Sequence, residues 1–545
     1  MHYKNFHLDE FQEKAIQAIE RNHSVVVSAP TGSGKTLIAD FIVNKDIEKG
    51  IRVIYTAPIK ALSNQKYKEF CAEYGEDKIG LMTGDTVKNP GAPILIMTTE
   101  IYRNMAISKD HIMANISYVI FDEIHYINDV ERGYVWEESI IFSQDTVRFL
   151  CLSATIPNAQ EFADWISAIK KHEVEVIVHD HRHVPLEKKF YDTELGITTL
   201  DKIKEIIDIP DHKYIQGRSK QRRPFVKPPN HIDLVKEIKD KTPCMFFTFS
   251  RAKTQEFALD LSKYNLFPTD AQLSSFARKK LEESPKEVRE LETTRMLLQV
   301  LSQGIAFHHA GLLPVLKDIV EDLFEQGKIK VLYTTETFAV GINMPAKTVC
   351  FESLRKFDGI NFRILNSKEY FQIAGRAGRR GKDTHGYVYS MIQRRDFDYQ
   401  KIKEVTTKDI EPIQSQFKLS TNTALNLIKN HNQVEIETIL KYNFHTFQKY
   451  GEKFRQVKKN QFMYQFEKTK ERLTKLGYIK GNFLTEKGDF AAQIYSDEIL
   501  TGEIFATEIY QELNEYQLLL VIACIAYEAR EKNEYFKEYQ SKFLT

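Results

Sequence analysis

The stretch Val25 to Thr36, VVVSAPTGSGKT, constrains the fold more tightly than any other part of the chain. An apolar β-branched run (Val25, Val26, Val27) feeds a turn containing Gly32 and Gly34, which opens onto Lys35-Thr36 and an apolar helical pattern. Strand, glycine turn and helix start, in that order, describe a phosphate-gripping loop. Backbone N–H groups of the turn and of the helix N-terminus can cradle phosphates, Lys35 reaches the terminal ones, and the Thr36 hydroxyl can hold Mg²⁺. Thr31, Gly32, Ser33, Gly34, Lys35 and Thr36 are therefore the expected nucleotide ligands, although Ala29 stands where the strict pattern begins with Gly. A second buried strand, Tyr118–Phe121, delivers Asp122 and Glu123 at its carboxyl end, where open α/β sheets bind ligands. Asp122 is expected to hold Mg²⁺, and Glu123 to orient or deprotonate an attacking water. The two segments together imply hydrolysis of ATP.

The surrounding patterns supply the frame. Apolar runs at Val53–Tyr55, Ile94–Met97, Tyr118–Phe121 and Phe149–Leu152 alternate with helical patterns and predict a parallel α/β domain over residues 1–182. A second set at Cys244–Phe249, Val331–Tyr333, Val349–Phe351 and Tyr387–Met391 predicts another over 231–403, with residues 183–230 as a linker or extension. Leu316, Ile319, Val320, Leu323 and Phe324 form one apolar helical stripe there, closed by Gly327. Within the linker, RSKQRRPFVK (Arg218 to Lys227) reads equally as a solvated connector or as a nucleic-acid contact. In the second domain QIAGRAGRRG places Arg376 and Arg379 at i and i+3 on the start of an expected helix, pointing one way. They fit a nucleic-acid patch, a solvated face or, with a nucleotide site already present, arginine fingers. Fingers of this kind are worth on the order of 10³–10⁵ in rate.

Composition narrows the setting. The 545 residues are long enough for about three to four domains. Lys and Arg number 76 against 75 Asp and Glu, so any polyanion site must be a local groove and is not readable from net charge. Five cysteines, Cys71, Cys151, Cys244, Cys350 and Cys524, occur without a C-x-x-C pair; four lie within or beside apolar runs, and they read as reduced core residues and not as ligands. The N-terminus lacks the charged-then-apolar layout of a leader, and the longest apolar run, Leu518–Tyr527, is too short for a bilayer. The expectation is a cytoplasmic monomer. His308 and His309 lack ligand spacing for zinc, so no metal beyond nucleotide-bound Mg²⁺ is expected.

Read in order, these segments resemble the motifs of superfamily 2 helicases. FHLDEFQ (Phe6 to Gln12) is similar to the adenine-reading motif, which makes Gln12 a nucleotide contact. Thr56-Ala57-Pro58-Ile59-Lys60 and Thr98-Thr99-Glu100 resemble strand-gripping motifs, and Ser153-Ala154-Thr155 the coupling motif. Phe249-Ser250-Arg251, His308–Gly311 and the run from Thr335 to Pro345 match later motifs. The resemblance implies nucleic-acid contacts at Pro58, Lys60, Thr83, Thr98, Thr335 and Thr337, a nucleotide contact at Gly341, and coupling through His125, Gln372, Ser153 and Thr155. None of the strand contacts is a bidentate base reader, so a sequence-independent, salt-sensitive grip is expected.

Longer stretches resemble the superkiller-type DExH RNA helicases that feed the RNA exosome: DEIHYINDVERGYVWEE (Asp122 to Glu138), LSATIPNAQEFADW (Leu152 to Trp165) and Phe357 to Gly381. The resemblance implies two tandem RecA-like domains followed by a winged helix over 404–488 and a C-terminal helical domain over 489–545, which Thr545 leaves partway through. The arch that interrupts the winged helix in that family has no counterpart after Gln448. The implied activity is ATP- and Mg²⁺-dependent, 3′-to-5′ unwinding of single-stranded or tailed RNA, in contact with exoribonuclease machinery. A hairpin around Asp358-Gly359 matches the family's strand-separating element. Phe444, Phe447, Phe454 and Phe462 read as core. Two alternatives stay open on the residues: a DNA repair helicase of the archaeal and polymerase-theta type, and a nucleic-acid scaffold that no longer hydrolyses ATP.

Overall fold

The apolar runs of the first 182 residues become one eight-stranded sheet in a computed structural model that describes residues 1–207, 228–341, 344–358, 361–407, 411–507 and 509–527. In chain order the strands are β1 (His2–Tyr3) and β2 (Phe6–His7), which form a separate hairpin, then β3 (Ser24–Ser28), β4 (Arg52–Ala57), β5 (Ile79–Met82), β6 (Val87–Lys88), β7 (Ile94–Thr98), β8 (Ile116–Phe121), β9 (Arg148–Ser153) and β10 (Val174–Val178). They lie in the order β10-β3-β9-β8-β4-β7-β5-β6, parallel except for the β5–β6 pair. Strands β3 and β7 are buried along their whole length, which is why they read as continuous apolar runs and not as alternations.

The chain divides into two compact units. One comprises Met1–Ser28, Thr36–Val178 and the chain from Pro412; the other comprises Ala29–Lys35 and the chain from His179 to Glu411. In the first unit, the chain from Pro412 folds into helices Thr421–Asn430, Gln433–Lys441, Phe444–Tyr450 and Tyr464–Lys475, a small hairpin (Ile479–Lys480 with Phe483–Leu484) and helix Glu486–Ala491. Leu425, Ile428, Leu440, Phe466, Leu473 and Tyr478 make its core. Phe444, Phe447 and Phe454 instead join Phe162 and Trp165 in the core of the first sheet, and Phe462 packs partly buried. Short 3₁₀ turns, Gly451–Gln456 and Lys459–Gln461, connect helix Phe444–Tyr450 to helix Tyr464–Lys475.

The second unit holds β11 (Leu186–Asp192), β12 (Gly196–Thr198), β13 (Cys244–Phe247), β14 (Ile305–His308), β15 (Val331–Thr334), β16 (Thr348–Phe351), the hairpin β17 (Arg355–Phe357) and β18 (Phe362–Ile364), and β19 (Gly386–Met391). Its sheet runs β12-β11-β19-β16-β13-β15-β14, parallel apart from β11–β12. The apolar stripe at Leu316–Phe324 lies on helix Pro314–Glu325, and Gly327 follows it with φ +69°.

Two expected boundaries shift. Residues 186–198, read as linker, are strands of the second sheet: Glu187, Lys188 and Lys189 interrupt the apolar pattern, yet the segment pairs in register with Gly386–Met391. Helix Tyr399–Thr407 also belongs to the second unit, so the first-unit segment begins at Pro412 and not at 404. The basic run Arg218–Lys227 lies outside the described residues. Cys151, Cys244 and Cys350 are buried as expected, whereas Cys71 is half-buried and Cys524 is exposed. Cys524 sits on helix Glu515–Ile525, none of whose residues is buried, so an apolar run in sequence does not here mean a core. No helix among the described residues is long and apolar enough to cross a membrane.

Candidate nucleotide site and nucleic-acid interface

The register of the first sheet brings the predicted residues to one edge. Ser28 is paired with Ser153, Phe121 with Cys151, Thr56 with Phe121, and Ala57 with Thr98. Along the carboxyl ends of the strands the order is therefore phosphate loop (after β3), Ser153 (β9), Asp122-Glu123 (after β8), Pro58-Lys60 (after β4) and Thr98 (β7). The expected hydrolytic carboxylates stand midway between the expected phosphate and strand contacts.

The loop after β3 is a tight glycine turn. Gly32 and Gly34 take φ +82° and +86°, a left-handed backbone that favours glycine. Ser33 is buried, and Lys35 donates to the Ala29 and Pro30 carbonyls at 2.7 and 3.1 Å. Thr36 begins helix Thr36–Ile47. Gln12 is buried in helix Glu10–Glu20, and its carbonyl oxygen accepts the Asp9 N–H at 2.8 Å in a capping box.

At the end of β8, Asp122 accepts from the Tyr55 hydroxyl and, at 3.0 Å, from the Glu123 N–H. Burial and the Asp122 charge push the Tyr55 hydroxyl well above the ordinary tyrosine range, so it stays a donor. Glu123 occupies a left-handed conformation (φ 52°), which turns the chain sharply into the 3₁₀ turn Ile124–Asn128. His125 is buried with Nδ1 3.3 Å from a Glu123 carboxylate oxygen. Ser153 is buried, Thr155 half-buried, and the next residue, Ile156, donates its N–H to Ser28 Oγ at 2.9 Å. The expected coupling segment is thus bonded to the last strand residue before the phosphate loop.

The expected strand contacts differ in what they offer. Lys60 leads helix Lys60–Tyr74, is half-exposed, and pairs with Asp85 at 3.3 Å. Thr83 is buried and donates to the same Asp85 at 2.8 Å. Thr98 caps helix Thr99–Ser108 and is largely buried, and Pro58 is buried with its carbonyl taken by Arg132 at 2.7 Å. In the second unit, Thr335 and Thr337 share a hydroxyl hydrogen bond of 2.9 Å at the start of helix Glu336–Gly341, which Gly341 closes.

The arginine segment corrects the sequence reading. Arg376 and Arg379 do not open a helix. Helix Ser367–Ala374, begun by the Asn366–Glu369 capping box and carrying Gln372, ends at Gly375. Gly378 and Gly381, at φ +87° and +74°, keep the following turns from continuing it. The same-face argument from i and i+3 spacing therefore fails. Arg376 is buried, and Arg379 forms a two-pronged pair with Asp383 at 2.7 and 2.8 Å. The exposed Phe357 and Phe362 pair across the β17–β18 hairpin, 5.3 Å between ring centroids; Gly359 and Ile360 at its tip lie outside the described residues.

Several participants escaped the sequence reading. Arg182 donates to the carbonyls of Thr31 (3.2 Å), Gly375 (2.8 Å) and Ala377 (2.6 Å), and burial lowers its pKa to about 10. It sits in an unpatterned histidine-rich stretch that carries no signal. Tyr55 carried one: a hydroxyl-bearing ring inside a buried strand needs a partner. Glu137 and Glu138 are wholly buried and anchor the chain from Pro412. Glu137 accepts from Ser415 Oγ (2.6 Å), Gln416 N (3.1 Å) and Phe444 N (2.9 Å); burial still pushes its carboxyl up to about 7. Glu138 accepts from Arg103 Nε (2.6 Å) and Thr423 Oγ1 (2.8 Å), and Arg103 reaches Thr423 and Asn422 as well.

Comparison with known proteins matches residues 9–162 to the DEAD/DEAH box helicase domain and residues 284–381 to the helicase conserved C-terminal domain. The chain is 40% identical over 468 residues to the human exosome RNA helicase MTR4, covering 82% of this chain and 44% of the relative. It is 42% identical over 450 residues to the ATP-dependent RNA helicase mtr4 of Schizosaccharomyces pombe (78% and 40%) and 39% identical over 469 residues to human superkiller complex protein 2 (81% and 37%). The chain thus spans less than half the length of each of these relatives.

Proposed function

We propose, from the chain's membership of the DExH-box helicases of the MTR4 and superkiller type, that it is an ATP-dependent RNA helicase acting in RNA processing or decay. The observation that carries the reading is the shared sheet edge, where the Ser28–Ile156 bond and the Tyr55–Asp122 bond link neighbouring strands whose ends bear the nucleotide and strand motifs. Lys35 and the loop N–H groups bind the phosphates, Gln12 contacts adenine, and Glu123 orients and deprotonates water, held by its left-handed turn and by His125. Arg376 and Arg379 neutralise charge on the transferring phosphate, which requires Arg379 to exchange its Asp383 partner for phosphate oxygens.

Thr36 and Asp122 offer a hydroxyl and a carboxylate, the hard oxygen donors that Mg²⁺ takes together with nucleotide phosphates. Bound there, the ion would neutralise phosphate charge. Lys60, Thr98, Thr335 and Thr337 grip the RNA backbone, with the Phe357–Phe362 pair as the strand-separating face; Pro58 and Thr83 act by shaping their loops. Translocation is 3′ to 5′, the setting is cytoplasmic, the working form is a monomer, and exoribonuclease machinery is the partner class.

ATP hydrolysis measured with RNA and DNA of matched sequence and length, across a salt series, tests this reading. RNA should activate more strongly than DNA because sugar hydroxyls are gripped along with phosphates. Log affinity should fall by about 0.7 per neutralised phosphate for each log unit of salt. Equal or stronger activation by DNA overturns the RNA assignment. A duplex with a 3′ single-stranded tail should be unwound and one with a 5′ tail should not; equal unwinding of both contradicts the polarity.

A further inference from the structure

Arg132 occupies a turn that no nucleotide or strand motif includes, and its side chain joins two of them. The turn is rigid. Asp129 Oδ1 accepts the N–H groups of Glu131 (2.9 Å) and Arg132 (2.8 Å), and the Asp129 carbonyl accepts from Gly133 at 2.7 Å. A Cβ on Gly133 would lie 2.1 Å from the Ile127 carbonyl oxygen and 2.6 Å from that of Asp129, so only glycine fits. From this turn the Arg132 guanidinium spans β4 and β7. Nη2 donates to the Pro58 carbonyl at 2.7 Å, and Nε donates to Glu100 Oε1 at 2.9 Å, where Nη2 also pairs. The ring of Trp136, which is fully buried, backs the guanidinium at 5.8 Å from its centroid.

Glu100 is the awkward member of this group. It lies in the first turn of helix Thr99–Ser108, two positions after Thr98, where its charge complements the helix dipole but opposes an incoming phosphate. We infer that Arg132 is a positioning residue for the nucleic-acid grip: it sets the spacing of the Pro58–Lys60 and Thr98–Glu100 segments and neutralises Glu100 beside the strand path. The inference rests on the proposed RNA reading. The guanidinium is needed because only its planar fork reaches a carbonyl and a carboxylate together; lysine offers one point charge.

The test is binding of a fluorescent single-stranded RNA to the full chain by anisotropy, alongside RNA-stimulated ATP hydrolysis. Arg132→Ala should raise the RNA concentration for half-maximal binding and stimulation by about tenfold, the scale of losing charge-assisted hydrogen bonds. The maximal stimulated rate should fall by less than about twofold, the split expected of lost binding rather than lost chemistry. Arg132→Lys, a milder change to the fold, should fall between. Adding Glu100→Gln to Arg132→Ala should recover much of the affinity, and the salt slope should stay that of the parent chain. Unchanged affinity in Arg132→Ala, a fall in maximal rate alone, or no recovery in the double variant overturns the inference. A salt slope shallower by about 0.7 also overturns it, in favour of direct phosphate contact by Arg132. If the parent chain itself binds no RNA, the RNA reading falls and takes this inference with it; parent binding with an unaffected variant removes the inference alone.

Discussion

Glu123→Gln is expected to abolish ATP turnover while ATP and RNA remain bound. The substitution is isosteric, so the left-handed turn at φ 52° and the neighbouring Asp122 contacts to Tyr55 and the Glu123 N–H are preserved. What is lost is the basic carboxylate 3.3 Å from His125 Nδ1. Removal of a positioned general base costs about 10²–10⁴ in rate. Phosphate release should fall by that factor, while nucleotide binding followed by fluorescence stays near the parent value. Lys35→Ala should behave in the opposite way and weaken nucleotide binding, because its ammonium holds the Ala29 and Pro30 carbonyls of the loop and is the proposed phosphate ligand. Parent-like turnover by Glu123→Gln would remove Glu123 from the chemistry.

The second large effect is on stability. Glu138→Ala leaves Arg103 buried with its guanidinium stripped of its charge partner, and breaking such a pair costs about 3–5 kcal/mol. Arg103 also donates to Thr423 and Asn422, so the loss loosens the chain from Pro412 against the first sheet. Denaturant unfolding should show a lower first midpoint for Glu138→Ala. The joint change Arg103→Met with Glu138→Leu should recover most of the loss, since a well-packed apolar pair replaces a buried ion pair at little cost. A loss below about 1 kcal/mol in the single variant would place this pair among contacts of ordinary surface strength.

These two carboxylate sites show why one segment, Asp122 to Glu138, is so informative. Its first residues carry proposed chemistry, its middle turns through Arg132 and Gly133 to the strand motifs, and its last two anchor a distant part of the chain. Only the first role follows from residue type. The docking of Glu137 and Glu138 onto residues 415–444 is invisible to periodicity because its partners lie 278 to 307 positions away and are ordinary Ser, Thr and backbone groups.

Residue pattern alone determined the strands with continuous apolar burial, the glycine turn between β3 and helix Thr36–Ile47, the strand-end position of Asp122 and Glu123, and the helix stripe at Leu316–Phe324. Each depends on local sterics or on a face that must be buried, and neighbouring residues report both. It also determined that Phe444, Phe447 and Phe454 are core, though not that they belong to the first sheet's core. Tertiary structure decided the rest. Charged residues 187–189 became a strand because a partner at 386–391 satisfied their backbone. Arg376 and Arg379 left the helix because Gly375, Gly378 and Gly381 end it in turns that spacing rules assume away. Tyr55, Arg132 and Arg182 acquired their places through hydrogen bonds across strands and loops, and such bonds are long-range in sequence. Local propensity reads what a segment prefers to be; which polar groups it must satisfy is settled only when the chain is packed.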